Sequence, residues 1–399
     1  MMMMKIGVVV DNEYTNDIRV TNECTILSNH GYQVKVLCLN FGRCAANEEI
    51  NHNLSIHRIA IKRKYKNVLY ALTNTFDLYS YWWSWQIKRF IKEHSIDAIH
   101  VHDLYMSKAA FNAVKNTHIK FTLDLHENYP HAVSGYKWMN KPISKYLVRP
   151  WKWQQKEGKF LSFPEKIIVL SEDFKNDLLK KYPFLNKDRL IVFPNVPDLN
   201  QLLHFPIDKN VLANQDDYVL FYFGAISNRR GIGLLFDSIE ELSKSIPNLK
   251  LLLIGPVDKA ELNWFNQKLS EPLINKYTIY YPWKDISLLP SYIFASSICL
   301  SPIEKNPQHE SGLANKVFQY MLFEKPIVVS DCVPQVFIVN TYKCGLSFRW
   351  NSVKDFTEKI MQIYRHPDLA NEMGRNGKSA VIEHFNSVVF QNSLFSIYE

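Results

Sequence analysis

Short, mostly apolar runs recur along the chain and are separated by segments of different periodicity. In the first half they are Lys5–Val10, Gln33–Leu39, Ser55–Ile61, Ala98–Val101, Phe121–Leu123, Glu165–Leu170 and Leu190–Phe193. In the second half they are Tyr218–Phe223, Leu251–Ile254, Tyr277–Tyr281, Ile298–Leu300, Ile327–Val329 and Cys344–Leu346. Runs this short, continuous and rich in β-branched residues predict strands of parallel sheets covered on both faces. Helical spacing fills the gaps. Val20, Cys24, Ile26 and Leu27 predict a helix over about Asp17–Asn29, stopped by His30-Gly31. A long helix carries Tyr79, Tyr81, Trp82, Trp83, Trp85, Ile87 and Phe90. Ser171-Glu172 caps another that reaches about Tyr182. Further helices are expected over Ser287–Ala295, from near Leu313, and from about Val353 to the end. Strand, helix, strand in this order implies right-handed crossovers.

The pattern predicts an α/β chain of two Rossmann-like α/β/α domains. Residues 1–197 form the first and 198–216 a polar linker. Residues 217–380 form the second, and 381–399 a last helix. A chain of 399 residues exceeds one ordinary core. Loops at the carboxyl ends of parallel strands bind ligands, which draws attention to His102-Asp103, to Asp124-Leu125-His126-Glu127, and to the stretch Ser301–Cys332. In that stretch Glu310, Ser311 and Gly312 precede a helix carrying Val317, Phe318, Met321 and Leu322. Free N–H groups and the helix dipole there make an anion site. No Gly-x-Gly-x-x-Gly fingerprint is present.

Charge changes the picture. The net +8 is lopsided: residues 1–200 hold 28 Lys and Arg against 19 Asp and Glu, and residues 51–166 hold 19 against 8. An anionic partner for the first half follows. Lys62–Lys66, the aromatic helix and Tyr136, Lys137, Trp138, Lys141, Lys145, Tyr146, Arg149, Trp151, Lys152, Trp153, Lys156 and Lys159 interleave cations with rings. This fits an anionic membrane surface, with core burial of Trp82, Trp83 and Trp85 as the competing reading. Six scattered cysteines without a CxxC pair read as reduced thiols of a cytoplasmic protein. No run of 18 apolar residues predicts a spanning helix, and Met1–Val10 lacks a signal-peptide layout.

Asn315-Lys316-Val317-Phe318-Gln319-Tyr320-Met321, followed by Pro326-Ile327-Val328-Val329-Ser330-Asp331, resembles the donor-sugar motif of the retaining GT-B glycosyltransferases of family 4. It is closest to a subgroup whose helix reads Asn-Lys-x-Phe-Glu-Tyr-Met. Three positions depart. Gln319 and Ser311 stand where glutamates are expected, with Glu310 one residue from the first. Glu324 replaces a turn glycine, so the turn is strained by about 1 kcal/mol or rebuilt. Asn16–Val20, Asp124–Glu127, and Gly224 followed by Arg229-Arg230-Gly231 also resemble that family, so the likeness spans nearly the whole chain.

The resemblance implies two domains facing a cleft and transfer of a sugar from a nucleotide sugar to a hydroxyl acceptor with retention, without cofactor or metal. It places donor binding at Gly224, Arg229, Arg230, Gly255, Pro282, Trp283, Ser311, Gly312, Leu313, Ala314, Lys316 and Gln319. Catalytic roles fall to His126, Glu310 and Arg230. Asp17, Arg19, His102, Asp103 and Glu127 lie on the acceptor side. Asp17 and Arg19 equally fit an N-cap and a solvated side chain, and His102 and His126 fit structural imidazoles. His100, His102, Asp103 and His126 could converge, but their spacing matches no standard metal signature. The implied partners are a nucleotide sugar and a glycan or lipid-linked acceptor at the inner membrane face, with no nucleic acid. The departures at Gln319 and Ser311 leave a catalytically inactive GT-B subunit open. A nucleotide-sugar epimerase is a further alternative, and the basic half leaves a nucleic-acid-binding protein as another.

Overall fold

A computed structural model describes residues 4–15, 17–135, 146, 148–212 and 214–399, with the side chains of 134, 135, 200 and 201 excepted. Asn16 and the expected surface residues Tyr136, Lys137, Trp138, Lys141 and Lys145 lie outside the described residues. The chain divides into two compact units. The first comprises residues up to Pro194 together with Phe390–Glu399, and the second comprises Asn195–Val389.

Among the described residues, the first unit holds β1 (Lys5–Val9), β2 (Gln33–Asn40), β3 (Asn47–Asn51), β4 (Leu54–Ala60), β5 (Ala98–His102), β6 (Lys120–Asp124), β7 (Lys166–Val169) and β8 (Leu190–Val192). They form one sheet in the order β3-β4-β2-β1-β5-β6-β7-β8. Every pairing is parallel except β3 with β4. Successive β1 side chains point to opposite faces. Val9 joins Trp83, Ile87, Phe90 and Phe121 in one apolar layer, while Val8 joins Cys24, Leu27, Val36, Leu394 and Phe395 in the other. The edge strand β3, Asn-Glu-Glu-Ile-Asn, is exposed throughout and carries no apolar alternation. The basic run after Ile61 opens a helix of its own, Arg63–Ala71.

The aromatic helix, Leu78–His94, splits by face. Tyr79, Trp83, Ile87 and Phe90 recur at helical spacing and are buried, whereas Tyr81 and Trp85 are exposed. Lys152 and Lys156, expected on a docking surface, instead bond to Asn74 (3.2 Å to its carbonyl oxygen and 2.8 Å to Oδ1). Trp153 is core.

The second unit holds β9 (Tyr218–Phe223), β10 (Leu249–Ile254), β11 (Thr278–Tyr281), β12 (Ile298–Ser301), β13 (Ile327–Ser330) and β14 (Gly345–Phe348), all parallel, in the order β11-β10-β9-β12-β13-β14. The expected helix from Leu313 starts at Asn315 and runs to Leu322, with Ala314 as its N-cap. The turn that follows is strained rather than rebuilt, because Glu324 adopts φ +57°. Its oxygen Oε1 takes a bond of 2.6 Å from Lys378. The helix Pro367–His384 crosses this turn at Gly374, where an added Cβ would lie 2.1 Å from the Glu324 carbonyl oxygen. Both partners there are backbone, so neither gives way cheaply. We expect Gly374→Ala to lower the unfolding free energy by about 1–3 kcal/mol, read as a shift of the denaturant midpoint. A change within about 0.5 kcal/mol would show that the turn relaxes.

Candidate functional site

In the second unit, polar groups gather beyond the carboxyl ends of β9 and β12. Gly224 follows β9 at φ +130°, and a Cβ there would stand 2.8 Å from Lys316 Nζ. The absent side chain is the space that Lys316 occupies. Lys316 Nζ sits 3.9 Å from the centre of the Tyr222 ring. Burial and then the charge of Arg230 hold this lysine well below its ordinary range. Gly231, at φ +80°, lets the loop pass Pro302, whose oxygen would lie 1.9 Å from a Cβ. Arg229 reaches Gln308 Oε1 at 3.4 Å. Burial and the cluster of Arg230, Arg229 and Lys316 push His309 down to about 4, against the Glu304 carbonyl. Among the described residues, neither Arg230 nor Lys316 has an acidic partner. The N–H groups of Gly312, Leu313 and Ala314 likewise have no acceptor there.

Glu310 accepts from Val333 N at 3.0 Å through Oε2, and its Oε1 is buried with no partner. Asn315 Oδ1, His309 Nε2 and Ser227 Oγ are also buried and unpartnered. Ser311 turns its hydroxyl back onto the Gln308 carbonyl (2.6 Å). Gln319 is buried on the helix that follows. Gly255 closes β10, donating to the Tyr281 carbonyl (2.9 Å). Pro282 and Trp283 follow β11, and Trp283 is 70% exposed.

The first unit builds a different cluster at the ends of β5 and β6. Parallel register sets His102 beside Asp124. Arg19 forks onto both Asp124 oxygens at 2.8 Å and donates to the Phe193 carbonyl at 3.0 Å. His102 Nδ1 lies 2.8 Å from His126 Nε2, and both lie 3.2 Å from Asp124 Oδ2. Two facing ring nitrogens at that distance share one hydrogen. Burial opposes the Asp124 charge, yet Arg19 and His126 hold this carboxyl well below its usual range. Burial likewise opposes the His126 charge, but Asp124 outweighs it and pushes the imidazole up to about 9. His102 and, more strongly, His100 are lowered by burial. Glu23, raised by burial and by Asp124, lies 3.4 Å from His100, whose other nitrogen is 2.7 Å from the Tyr398 hydroxyl. Asp17 caps the helix Ile18–Asn29 through Val20 N.

Among the described residues, the side chains that converge tightly enough to suggest a metal are Glu23, His100, His102 and Asp124. Neither Asp103 nor His126, both named from the sequence as residues that could converge with His100 and His102, is among them. Arg19 already supplies the positive charge there, spending both Asp124 oxygens. Arg19 itself is buried and not a solvated side chain. Asp103 and Glu127 instead line a separate cavity, with Tyr105 and Tyr129. The sequence reading named Asp124 within its quartet and His100 among residues that could converge, but Glu23 and Tyr398 escaped it. The register of two adjacent apolar strands ending in His102 and Asp124 was the available signal. Glu23 lies four residues beyond Arg19 on one helix face, and nothing in the local pattern marks Tyr398.

Residues 18–201 match the family model "Glycosyltransferase Family 4", and residues 205–380 match "Glycosyl transferases group 1". The chain is 23% identical over 345 residues to the capsular polysaccharide biosynthesis glycosyltransferase CapM of Staphylococcus aureus, covering 77% of this chain and 86% of that protein. Among solved structures it superposes on the sucrose-phosphate synthase of Thermosynechococcus elongatus with a TM-score of 0.77 at 16% identity, covering 99% and 98% of the two chains. It also superposes on Anabaena HepE in complex with UDP and glucose, with a TM-score of 0.69 at 13% identity and 99% of each chain covered. At such identities the structures speak for the fold.

The charge of His126 sets a pH dependence. Its pKa is raised from 6.5 to about 9 on folding. The stability it contributes is therefore complete below pH 6.5 and lost as pH rises to 9. Thermal unfolding of the wild type should weaken across that interval, with a slope of at most about 1.4 kcal/mol per pH unit. His126→Gln should flatten it. An unchanged slope in His126→Gln would contradict the assignment.

Proposed function

This chain is a glycosyltransferase with the GT-B fold, and on that premise we propose that it moves a sugar from a nucleotide-sugar donor to a hydroxyl group of an acceptor, with retention of anomeric configuration. The observation that carries the reading is a basic pair, Lys316, which fills the space beside Gly224, and Arg230, whose charge acts on it. Two basic groups that have no acidic partner among the described residues, with three N–H groups that have no acceptor among them, suit a diphosphate. Arg230 forks across two phosphate oxygens, and an arriving anion restores the charge that burial suppresses at Lys316. Negative charge that develops on the leaving diphosphate is then stabilised by the protein's own cations, so the reading calls for no metal.

Glu310 has one oxygen fixed by Val333 N–H and the other without a partner, which suits it to hold a sugar hydroxyl. Gln319 takes the ribose hydroxyls, since an amide both donates and accepts. His126, a charged imidazole, keeps in this reading the catalytic role that the resemblance implies. Gln319 and Ser311, standing where glutamates are expected, favour a second reading, a subunit that binds donor without turnover. Release of free sugar and nucleotide from a nucleotide sugar by the purified protein separates the two. We expect Arg230→Ala to abolish transfer and to weaken nucleoside-diphosphate binding by about 1.5–3 kcal/mol, measured by calorimetry. Unchanged affinity in the folded variant would remove the diphosphate role.

The acceptor in this reading is a glycan precursor or lipid-linked, met at an anionic membrane surface on the cytoplasmic side. Among the described residues no helix is long and apolar enough to cross a membrane. The exposed Leu78, Tyr81 and Trp85 fall on one face of their helix, with exposed Lys88 and Lys92 on the next turns. Rings that prefer the headgroup layer beside cations that attract anionic lipid support peripheral docking. Sedimentation with vesicles should need anionic lipid, weaken as salt rises, and fail in a Lys64→Glu, Lys88→Glu, Lys92→Glu variant. Equal binding to neutral vesicles, or none to either, would leave the basic surface without a membrane role.

A further inference from the structure

In the second unit the chain leaves β9 and β10 at two glycines. Gly224 donates to the Ile254 carbonyl (2.8 Å) and Gly255 to the Tyr281 carbonyl (2.9 Å), so the ladder runs one residue past the strands. A Cβ on Gly255 would lie 2.0 Å from the Gly224 oxygen. The carboxyl ends of β9 and β10 therefore meet as bare backbone. β11 is the next strand of the sheet. Its end lies two strand spacings, about 10 Å, from Gly224. Lys316 fills the space at Gly224, and that distance is the reach of a nucleoside from its diphosphate to the far edge of its base.

Pro282, Trp283 and Lys284 stand at the end of β11. Trp283 is exposed and Lys284 half-buried. The Lys284 ammonium lies 3.9 Å from the centre of the Tyr281 ring and 5.9 Å from that of Tyr292, and the two rings are 6.0 Å apart. Aromatic faces hold a cation in place without supplying an oxygen acceptor. The neighbouring carboxylate, Asp285, is turned onto the Ser287 N–H and hydroxyl (2.9 and 2.6 Å). Among the described residues Lys284 has no acidic partner.

We propose that Lys284 selects the base of the nucleotide, admitting the oxo bases uracil and guanine and rejecting the amino bases cytosine and adenine, while Trp283 stacks on the ring. The inference rests on the transferase reading and extends it to the substrate class. An ammonium carries three donors and no acceptor. Uracil and guanine present the acceptors O4 and O6 where cytosine and adenine present the amino groups N4 and N6. An amino group facing Lys284 sets donor against donor and leaves both without a partner. Stacking on Trp283 does not discriminate, because every base has a π face, so the choice falls to Lys284. The tyrosine rings place the ammonium before the ligand arrives, so little freedom is lost on binding.

Calorimetry on the full chain with UDP, CDP, GDP and ADP tests this. Within each pair that binds, the oxo base is expected to bind about tenfold tighter or more, UDP over CDP and GDP over ADP. Lys284→Met should bring the members of a pair to within about twofold. Lys284→Glu should invert the order, because a carboxylate accepts from an amino group. Arg230→Ala should weaken all the nucleotides alike and keep their order. The position of Lys284 is half-exposed, and thermal unfolding of the two variants checks that each is folded. CDP and ADP bound as tightly as UDP and GDP, or a preference that survives in both folded Lys284 variants, would overturn the proposal and leave the transferase reading standing. Binding of none of the four would remove the transferase reading, and the selection of the base with it.

Discussion

The first unit is organised around one buried negative charge. Asp124 is fully enclosed at the end of β6. A lone carboxylate in that position would cost several kcal/mol or take up a proton. Arg19 prevents this by meeting both oxygens in a fork, and its remaining donor ties the Phe193 carbonyl to the same point. Helix Ile18–Asn29, strand β6 and the segment after β8 are thereby pinned to a common centre. The two imidazoles then share what Asp124 Oδ2 has left, and the pKa of His126 follows from that sharing and not from its own exposure. Positioning and electrostatics in this cluster are one effect.

The second unit solves the opposite problem. Here, among the described residues, Arg230 and Lys316 have no acidic partner, and space is provided by omission. Gly224 gives up a side chain so that Lys316 can pass, and Gly231 gives one up so that the loop can pass Pro302. The like charges of Arg230 and Lys316 are tolerable because burial already drives the lysine toward neutrality. In the proposed reading, an arriving anion relieves the repulsion between these groups, which favours a phosphate-bearing ligand over a neutral one.

Much of this was legible in the sequence, for identifiable reasons. Strands buried on both faces leave continuous apolar runs, so thirteen of them could be read directly, whereas β3, polar and exposed at a sheet edge, could not. The Gly224–Gly231 loop was readable as a strand-to-helix connection because glycine, arginine and a helix start have fixed spacing. The aromatic helix was legible as a helix but not by face: Trp83 and Trp85 differ by two residues, and only packing tells which one is core. Register explains the rest. Asp124 and His102 are distant in sequence and adjacent only once β5 and β6 are aligned. Likewise Asp11, Lys66 and Tyr105 come together from three separate segments of the chain.

Tyr398 lies in the core of the first unit, bonded to His100, while Phe395 stacks on His30 at 3.6 Å. The first unit is thus assembled from two pieces of chain, with all of Asn195–Val389 between them. On the ribosome this imposes an order of events. When residues up to Pro194 have emerged, one apolar layer of their sheet is still missing Leu394, Phe395 and Ile397, and it stays incomplete until the second unit has been synthesised. The nascent first unit is then a sheet with an uncovered greasy face, the kind of surface that chaperones hold, and the second unit can reach its final structure before the first.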